Sequence, residues 1–205
     1  MALAPGAATD EALMLRYQRG DRSAFSELVR RHKGPLFNFV LRHLRSASAA
    51  EDITQETFLR VVQRAADFKH EARFSTWLYT IARNLSIDHG RKMKHRRHAS
   101  LDAAASTDEG ARPLLEVVAD VRPEGDVSRA AEWSDMRRSI VTAVDALPDD
   151  QREVFLLREV ANLPFKEIAE VTGIAENTVK SRMRYALERL RSALSEFEEY
   201  ARALR

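Results

Sequence analysis

The stretch FKEIAEVTGIAENTVKSRMR, residues 165–184, has the pattern of two short helices joined by a tight turn. Pro164 is placed to begin the first helix, because its fixed φ suits the first helical position. Gly173 supplies the turn, since glycine adopts positive φ without steric cost, and we expect the second helix to begin at Ala175 or Glu176. The stretch therefore predicts a helix-turn-helix. The residues expected to close its small core are Ile168, Ala169, Ile174 and Val179.

The second helix of this motif separates an apolar stripe from a basic, polar face. Arginine and lysine bind phosphates or guanine edges and asparagine pairs with adenine, so the start of the helix suits the major groove of DNA. A solvated basic face on an ordinary helix is the alternative, but the spacing of Pro164, Gly173 and Val179 favours DNA binding. The apolar stripe is Val179, Met183, Leu187, Leu190, Leu194 and Phe197. The polar face is Asn177, Lys180, Ser181, Arg182, Arg184 and Arg191.

Length and composition set limits on the rest of the chain. Its 205 residues suffice for two small domains. A formal net charge of +2 is too small for indiscriminate polyanion binding, so local basic clusters must carry any affinity for nucleic acid. The absence of cysteine excludes disulfides and thiolate zinc sites. No apolar run approaches the roughly 18 residues of a membrane span, and the start lacks a signal-peptide pattern, so we expect a cytoplasmic protein without membrane insertion.

The first hundred residues predict amphipathic helices. Two of them cover residues 12–19 and 23–44, with Gly34-Pro35 as punctuation inside the second span. Ser48 is a candidate cap for the next helix, whose outward residues are acidic in otherwise basic surroundings. Its inward stripe is Ile53, Thr57, Phe58, Val61 and Val62. Its outward residues are Glu51, Asp52, Gln55 and Glu56.

A loop with the sequence FKHEARF, residues 68–74, leads into a helix that ends in a run of positive charge. Ser75 or Thr76 is expected to cap this helix. Because Asp88 is the single acid in the run, the run predicts a second contact with DNA. The inward residues of the helix are Trp77, Leu78, Ile81 and Leu85. The cations are Arg83, Arg91, Lys92, Lys94, Arg96 and Arg97.

Residues 99–132 predict a flexible acidic linker, because acidic residues are set there among Ala, Ser, Gly and Pro with few large apolar side chains. Helical patterning returns over residues 133–147, and Leu147-Pro148-Asp149-Asp150 marks the start of the next helix. The second domain is therefore expected to contain four helices, of which the last two form the helix-turn-helix.

Motifs of catalysis are missing from the sequence. It has no Gly-rich phosphate loop and no nucleophile elbow. His95 and His98 share a helix face, but the cations around them would repel a divalent ion. We therefore expect no catalytic residues, no cofactor and no metal site.

Both halves resemble one family, the bacterial sigma-70 factors that direct RNA polymerase to promoters. FSELVRRHKGPLFNFV, AEDITQETFLRVV and FSTWLYTIARNLSIDHGRK resemble its region two, and LPDDQREVFLLREVANLPFKEIAEVTGIAENTVKSRMRYALERLR resembles its region four. The short connection between them is similar to that of the small extracytoplasmic-function (ECF) group. The resemblance implies an all-α protein with region two at residues 10–98, a linker at 99–132, region four at 133–194 and a short extension at 195–205.

The resemblance assigns roles to residues of the first half. Asp52, Gln55 and Glu56 match the motif that grips a coiled coil of the polymerase β′ subunit; capping of their own helix is the alternative. The loop after residue 67 and Asn84 match a pocket for a promoter base flipped out at the minus-ten element. For Phe68, Phe74 and Trp77, a role in the core is the favoured interpretation. The candidate pocket residues are Phe68, Lys69, His70, Glu71 and Asn84. The candidate phosphate contacts are Arg91, Lys92, Lys94, Arg96 and Arg97, with a solvated tail as the alternative.

In the second half the family reads the minus-thirty-five element with the start of the second motif helix. Tyr185 stands where many relatives carry arginine, so the exact base preference is not transferable. The implied partners are core RNA polymerase, through its β′ coiled coil and β flap, promoter DNA, and an anti-sigma factor. A stand-alone regulator that binds an operator as a dimer is the alternative function. The candidate minus-thirty-five residues are Asn177, Thr178, Lys180, Ser181, Arg182, Arg184 and Tyr185.

Overall fold

The computed structural model describes residues 8–69, 72–99 and 127–197, and within these ranges it contains helices and no strand. The expected all-α class is confirmed. Eight α-helices occur in this described part. They are α1 Asp10–Gln18, α2 Arg22–Leu44, α3 Ala47–Gln63, α4 Phe74–Ala99, α5 Val127–Asp145, α6 Asp149–Glu159, α7 Phe165–Thr172 and α8 Glu176–Ala193.

Helices α1 to α4 form an amino-terminal bundle. Its core contains large aromatic side chains: Phe39 is fully buried and its ring packs edge-on against that of Tyr79, with centroids 5.2 Å apart. The helix starts are tied by specific acceptors. Asp21 caps α2 by accepting from the backbone N–H of Ser23, and the Glu11 carboxylate accepts from the backbone N–H of Phe74 at 3.0 Å. The latter bond fixes the start of α4 to α1 and thereby positions the loop that precedes α4.

Helix α2 runs straight through Gly34-Pro35, where the sequence predicted an interruption. Proline removes one backbone donor from a helix and is usually disruptive there. Here the apolar stripe continues on both sides, with Leu28 and Leu36 fully buried, and the Asn38 amide donates to the Gly34 carbonyl at 2.9 Å. Tertiary packing therefore outweighs the local preference of proline.

Other element boundaries also differ from the prediction. Ser46, and not Ser48, caps α3 by accepting from the backbone N–H of Ala49. Helix α4 begins at Phe74 and so takes in both residues that were expected to cap it. Helix α5 begins at Val127, inside the span that composition assigned to the linker. Acidic and small residues are as compatible with an exposed helix as with a linker, which explains this last error.

Helices α5 to α8 form a carboxy-terminal bundle with the predicted helix-turn-helix at its end. Gly173 ends α7 at φ 72°, as its role in the turn requires, and Ala175 caps α8. The helical spacing predicted an inward position for Leu187, which is wrong, because Leu187 is 47% exposed. Ala186 occupies the inward position instead. The buried apolar residues of the motif are Ile168, Val171, Val179, Met183, Ala186 and Leu190.

Arg152 ties α6 to the end of α5. Its side chain is almost fully buried and donates to the carbonyls of Asp145 and Leu147 and to the Asp149 carboxylate. The bond to the Asp145 carbonyl satisfies an acceptor that the last turn of α5 leaves open. In the part of the chain that the structure describes, no helix is long and apolar enough to cross a membrane.

Candidate nucleic-acid interfaces and an acidic docking face

Helix α8 presents a continuous polar face at its start. Val179 and Met183 anchor the helix in the core, which turns the residues between them outward. Six of the seven candidate minus-thirty-five residues are exposed together there, so their placement suits entry into a groove of DNA. We call this set the reading face: Asn177, Thr178, Lys180, Ser181, Arg184 and Tyr185.

Arg182, the seventh candidate, is placed differently. Its side chain is 28% exposed, and its Nε atom forms an ion pair with a carboxylate oxygen of Asp150 on α6 at 3.1 Å. Lys180 is paired within its own helix with Glu176 at 2.7 Å, whereas the Arg184 guanidinium lies over the ring of Tyr185, 4.8 Å from its centroid. Arg182 therefore fastens α8 to α6 in the free protein, and Arg184 and Tyr185 are presented to solvent as a unit.

Helix α3 carries the predicted acidic face, which we define as Asp52, Gln55 and Glu56. Asp52 and Gln55 are exposed, and the Glu56 carboxylate accepts from Arg60 at 3.0 Å while staying 45% exposed. Asp52 lies beyond the first turn, which contains no acidic residue. Capping belongs to Ser46, and helix-dipole effects fade within one turn, so capping does not explain these residues.

Two apolar side chains extend the acidic face toward the end of α3. Leu59 is 54% exposed and Val62 is 40% exposed. The sequence pattern predicted an inward position for Val62, which is wrong, and gave no prediction for Leu59. Steps of three and four from Gln55 reach both residues, so helical spacing contained the signal. An exposed leucine and valine beside carboxylates are typical of a surface that a protein partner covers.

The loop before α4 rests on a buried aromatic base. Phe68 is 5% exposed, and its ring packs 5.3 Å from that of Trp77 and 6.1 Å from that of Phe74. This agrees with the core interpretation of these three rings. Lys69 is exposed, as is Asn84 on α4. His70 and Glu71 lie outside the described residues.

The end of α4 presents part of the predicted basic run. Arg91 and Lys92 are exposed on the helix. Helical backbone continues to Ala99, but the side chains of Lys94, Arg96 and Arg97 lie outside what the structure describes.

Comparison with known proteins decides the family. Sigma-70 region 2 matches residues 28–97, and Sigma-70, region 4 matches residues 137–190. The ECF RNA polymerase sigma factor SigW of Bacillus subtilis is 36% identical over 178 residues, which cover 86% of this chain and 92% of that protein. The chain belongs to the ECF group of the sigma-70 family.

Other relatives of this sigma factor agree. The RNA polymerase sigma factor CarQ of Myxococcus xanthus is 33% identical over 185 residues, covering 90% of this chain and 97% of that protein. The fold is similar to that of the sigma factor RpoE solved with the anti-sigma factor NepR from Bartonella quintana. The TM-score is 0.64 at 23% identity, over 83% of this chain and 96% of that one.

The two bundles of this sigma factor pack against each other through charged side chains. No sequence pattern predicted that these side chains form pairs. Arg83 on α4 donates to Glu153 on α6 at 2.7 Å, and both side chains are largely buried. Arg42, at the end of α2, donates to the Asp145 carboxylate at 2.5 Å. Such pairs leave no local pattern in a sequence, because the partners are 70 and 103 residues apart.

Glu167 on α7 makes the third connection. Its carboxylate accepts a hydrogen bond from the Thr76 hydroxyl and forms an ion pair with the Arg73 guanidinium at 3.1 Å. Thr76 lies in the first turn of α4, and Arg73 ends the loop before it. The first helix of the helix-turn-helix is therefore seated against the loop that was predicted to receive the flipped base.

His43 lies at the same junction, with its ring 6.0 Å from that of Phe39. Burial lowers the pKa of its imidazole, and the nearby guanidinium groups of Arg152 and Arg83 act in the same direction, against the carboxylates of Glu153 and Asp149. The imidazole therefore favours its neutral form in this packing.

Proposed function

We propose that this sigma factor binds core RNA polymerase and directs transcription initiation from promoters that its two bundles recognise. One observation carries the proposal: the chain presents two separate exposed faces of opposite character. The acidic face on α3 suits a basic protein partner, and the reading face on α8 suits DNA. A protein that bridges a polymerase and a promoter needs both faces at once.

In this proposal the acidic face binds the β′ coiled coil, with Leu59 and Val62 as the apolar part of the contact. Carboxylates at the rim favour encounter with a basic surface, while an apolar centre that is desolvated on binding supplies much of the affinity. The carboxy-terminal bundle contacts the β flap. Polymerase carries out the chemistry of RNA synthesis, and the sigma factor supplies specificity.

Promoter recognition is divided between the bundles. We place the minus-thirty-five element on the reading face of α8 and the minus-ten element on the loop before α4, together with Asn84. Lys69 and Asn84 are exposed there, and an amide can read the Watson-Crick edge of an unstacked base. Arg91 and Lys92 hold the adjacent phosphates, which fixes the register of the bundle on the promoter.

Run-off transcription tests this function. Purified core polymerase is supplied with fragments of the source genome, including the region upstream of the gene, with and without the protein. New transcripts of discrete length that require the protein are expected, and their start sites define the two elements. Sequence-specific DNA binding by the protein alone, without new transcripts, would contradict the proposal and favour a stand-alone regulator.

An anti-sigma factor is the further partner that we propose, on the ground of membership in the ECF group. The test is isolation of the tagged protein from uninduced source cells, followed by identification of bound chains. A single protein that binds the purified sigma factor and blocks run-off transcription is the expected result. A tagged protein recovered with polymerase alone, at full activity, would contradict this.

A further inference from the structure

The ion pairs between the bundles use one kind of group on each side. The amino-terminal bundle supplies guanidinium groups, from Arg42, Arg73 and Arg83, and the carboxy-terminal bundle supplies carboxylates, from Asp145, Glu153 and Glu167. Carboxylates and phosphates bind a guanidinium in the same way, through charge-assisted hydrogen bonds. The side of the amino-terminal bundle that carries these cations is therefore also an anion-binding surface.

Two of these cations adjoin the proposed minus-ten site. Arg73 ends the loop that leads into α4, and Arg83 is the neighbour of Asn84 on the same helix. Their positive charge is engaged as long as Glu167 and Glu153 remain in place. A promoter strand that follows the loop and passes Asn84 needs positive charge in the same positions.

We propose that the free protein is closed, with carboxylates of the carboxy-terminal bundle bound to cations that contact promoter phosphates once the bundles separate. Arg83 and Arg73 are the exchanging groups: each holds a carboxylate in the closed state and a backbone phosphate in the open state. The exchange with DNA rests on the proposed function, whereas the closed state does not.

The junction is built in a way that allows it to open. Among the described residues, no partner exists for the Nε and Nη2 atoms of Arg42 or for one carboxylate oxygen of Asp145, although all three atoms are buried. Burial of charged and polar groups without full pairing is costly. The favourable free energy of the ion pairs therefore exceeds the cost of their desolvation by little. The junction separates more easily than an apolar interface of the same extent.

The open fraction of the protein determines how much its affinity for DNA changes. When the open fraction is small, the apparent affinity for DNA is the affinity of the open state multiplied by that fraction. If removal of one carboxylate relieves most of the closure, binding of single-stranded DNA tightens by about three- to tenfold.

A distance measurement tests the closed state directly. The chain has no cysteine, so Ser26→Cys and Ser192→Cys, at exposed positions on α2 and α8, create the only two thiols for a donor and an acceptor dye. Transfer efficiency in the wild-type background is expected to be high at low salt and to fall as salt screens the pairs. Low efficiency at every salt concentration, equal to that of the variants below, would overturn the proposal.

Charge-neutral substitutions test what holds the bundles together. Glu167→Gln and Glu153→Gln are expected to lower transfer efficiency, whereas Glu170→Gln, at an exposed position on the same helix as Glu167, is the matched control and should leave it unchanged. Loss of the Glu153 charge leaves a buried arginine, so thermal unfolding is recorded for each variant. If Glu153→Gln does not fold, Glu167→Gln carries the test, because its partner Arg73 is 59% exposed. Unchanged efficiency in a folded Glu167→Gln protein would overturn the proposal.

The exchange with DNA is tested with Arg83→Gln. A labelled single strand that carries the non-template sequence upstream of the gene serves as the probe. Both Arg83→Gln and the glutamate variants should open the protein, but only the glutamate variants should bind the probe more tightly. Equal tightening by Arg83→Gln would overturn the role of Arg83 in phosphate binding. If run-off transcription fails while the distance results hold, the proposed function is wrong and the closed state stands.

Discussion

Two polar faces of the amino-terminal bundle differ in what covers them. On α3, Asp52 and Gln55 are exposed, with Leu59 and Val62 beside them. On α4, Arg83 is 19% exposed and is held by Glu153 of the other bundle. In the proposed function, polymerase reaches the first face without any rearrangement, whereas promoter DNA reaches Arg83 only after the carboxy-terminal bundle moves. The contrast predicts that polymerase binds before the promoter.

The largest effect is expected from disruption of the core of the carboxy-terminal bundle, which covers Arg83 on α4. Ile168 is fully buried in the helix-turn-helix, and truncation of such a residue to alanine costs about 2–5 kcal/mol. Ile168→Ala is therefore expected to unfold the carboxy-terminal bundle and to expose α4, while core-polymerase binding through α3 persists. Thermal unfolding and a core-binding assay measure the two effects. Glu170→Ala, on the exposed side of α7, is the control and should leave both readouts unchanged. Loss of α3-dependent polymerase binding in Ile168→Ala but not in this control would show that the faces are not separate.

The uncovered face is tested by Gln55→Ala with Glu56→Ala. Removal of two groups from a docking face is expected to weaken core binding by about 2 kcal/mol, or roughly thirtyfold. Both side chains are solvent-exposed in the free protein, so its melting temperature should change little. Binding of DNA by the reading face of the double variant should equal that of the wild-type protein. Unchanged affinity for core polymerase would remove the assignment of this face.

Leu59→Ser sharpens the same test, because it removes apolar area and leaves the charge intact. About half of the leucine side chain is already buried in the free protein, so the loss of affinity is expected to be about 1 kcal/mol, or roughly fivefold. Leu187→Ser is a matched control, since Leu187 is comparably exposed on α8. A fivefold loss in the control as well would indicate a general loss of fold rather than a contact.

On α8 the structure gives different surroundings to Arg182 and Arg184, although the sequence predicts DNA contact for both. Arg182→Ala is expected to weaken use of the minus-thirty-five element by about 1 kcal/mol, more than it weakens core binding, because it loosens α8 from α6 as well as removing a charge. Asp150→Asn distinguishes these causes: it removes the carboxylate from Arg182 and leaves the guanidinium free. If Asp150→Asn lowers promoter use as much as Arg182→Ala does, the pair acts by positioning the helix. Transcription from promoters with and without a minus-thirty-five element gives the readout.

The smallest expected effect is the loss of stability at low pH that arises from His43, at the junction between the bundles. The lowered pKa of His43 means that the closed protein resists a proton that an opened or unfolded chain accepts. Above the ordinary histidine pKa of about 6.5 both forms are neutral. Stability contributed by His43 is therefore present above this value and is lost as pH falls below it toward the lowered pKa. Thermal unfolding across this range measures the loss, and His43→Gln should remove the pH dependence.

The sequence was sufficient for the motif that its local chemistry determines. Gly173, Val179 and Met183 lie where the turn and the helical period required them. The acidic face was also predictable, because three carboxylates and an amide turned outward within two turns have few structural uses. Its apolar extension was missed at Val62, since the inner and outer edges of an amphipathic helix differ by a single residue step.

The remaining errors arise where distant parts of the chain decide the outcome. Pro35 lies inside a helix because the core packs on both sides of it. The partners of Arg83 and Arg42 are contributed by helices after the connecting segment, and no periodicity relates them. Sequence patterns report which face of a helix is polar, but the partner of that face depends on how the bundles meet.

Because Arg83 and Glu153 belong to one polypeptide, the fraction of closed molecules does not change with the number of copies in a cell. Separation is a unimolecular step, unlike release from a second protein, which is diluted or titrated away. Overproduction alone therefore raises closed and open molecules in the same proportion. A change in that ratio requires a ligand that prefers one of the two forms, and we propose core polymerase, which contacts both bundles in the proposed function, as that ligand.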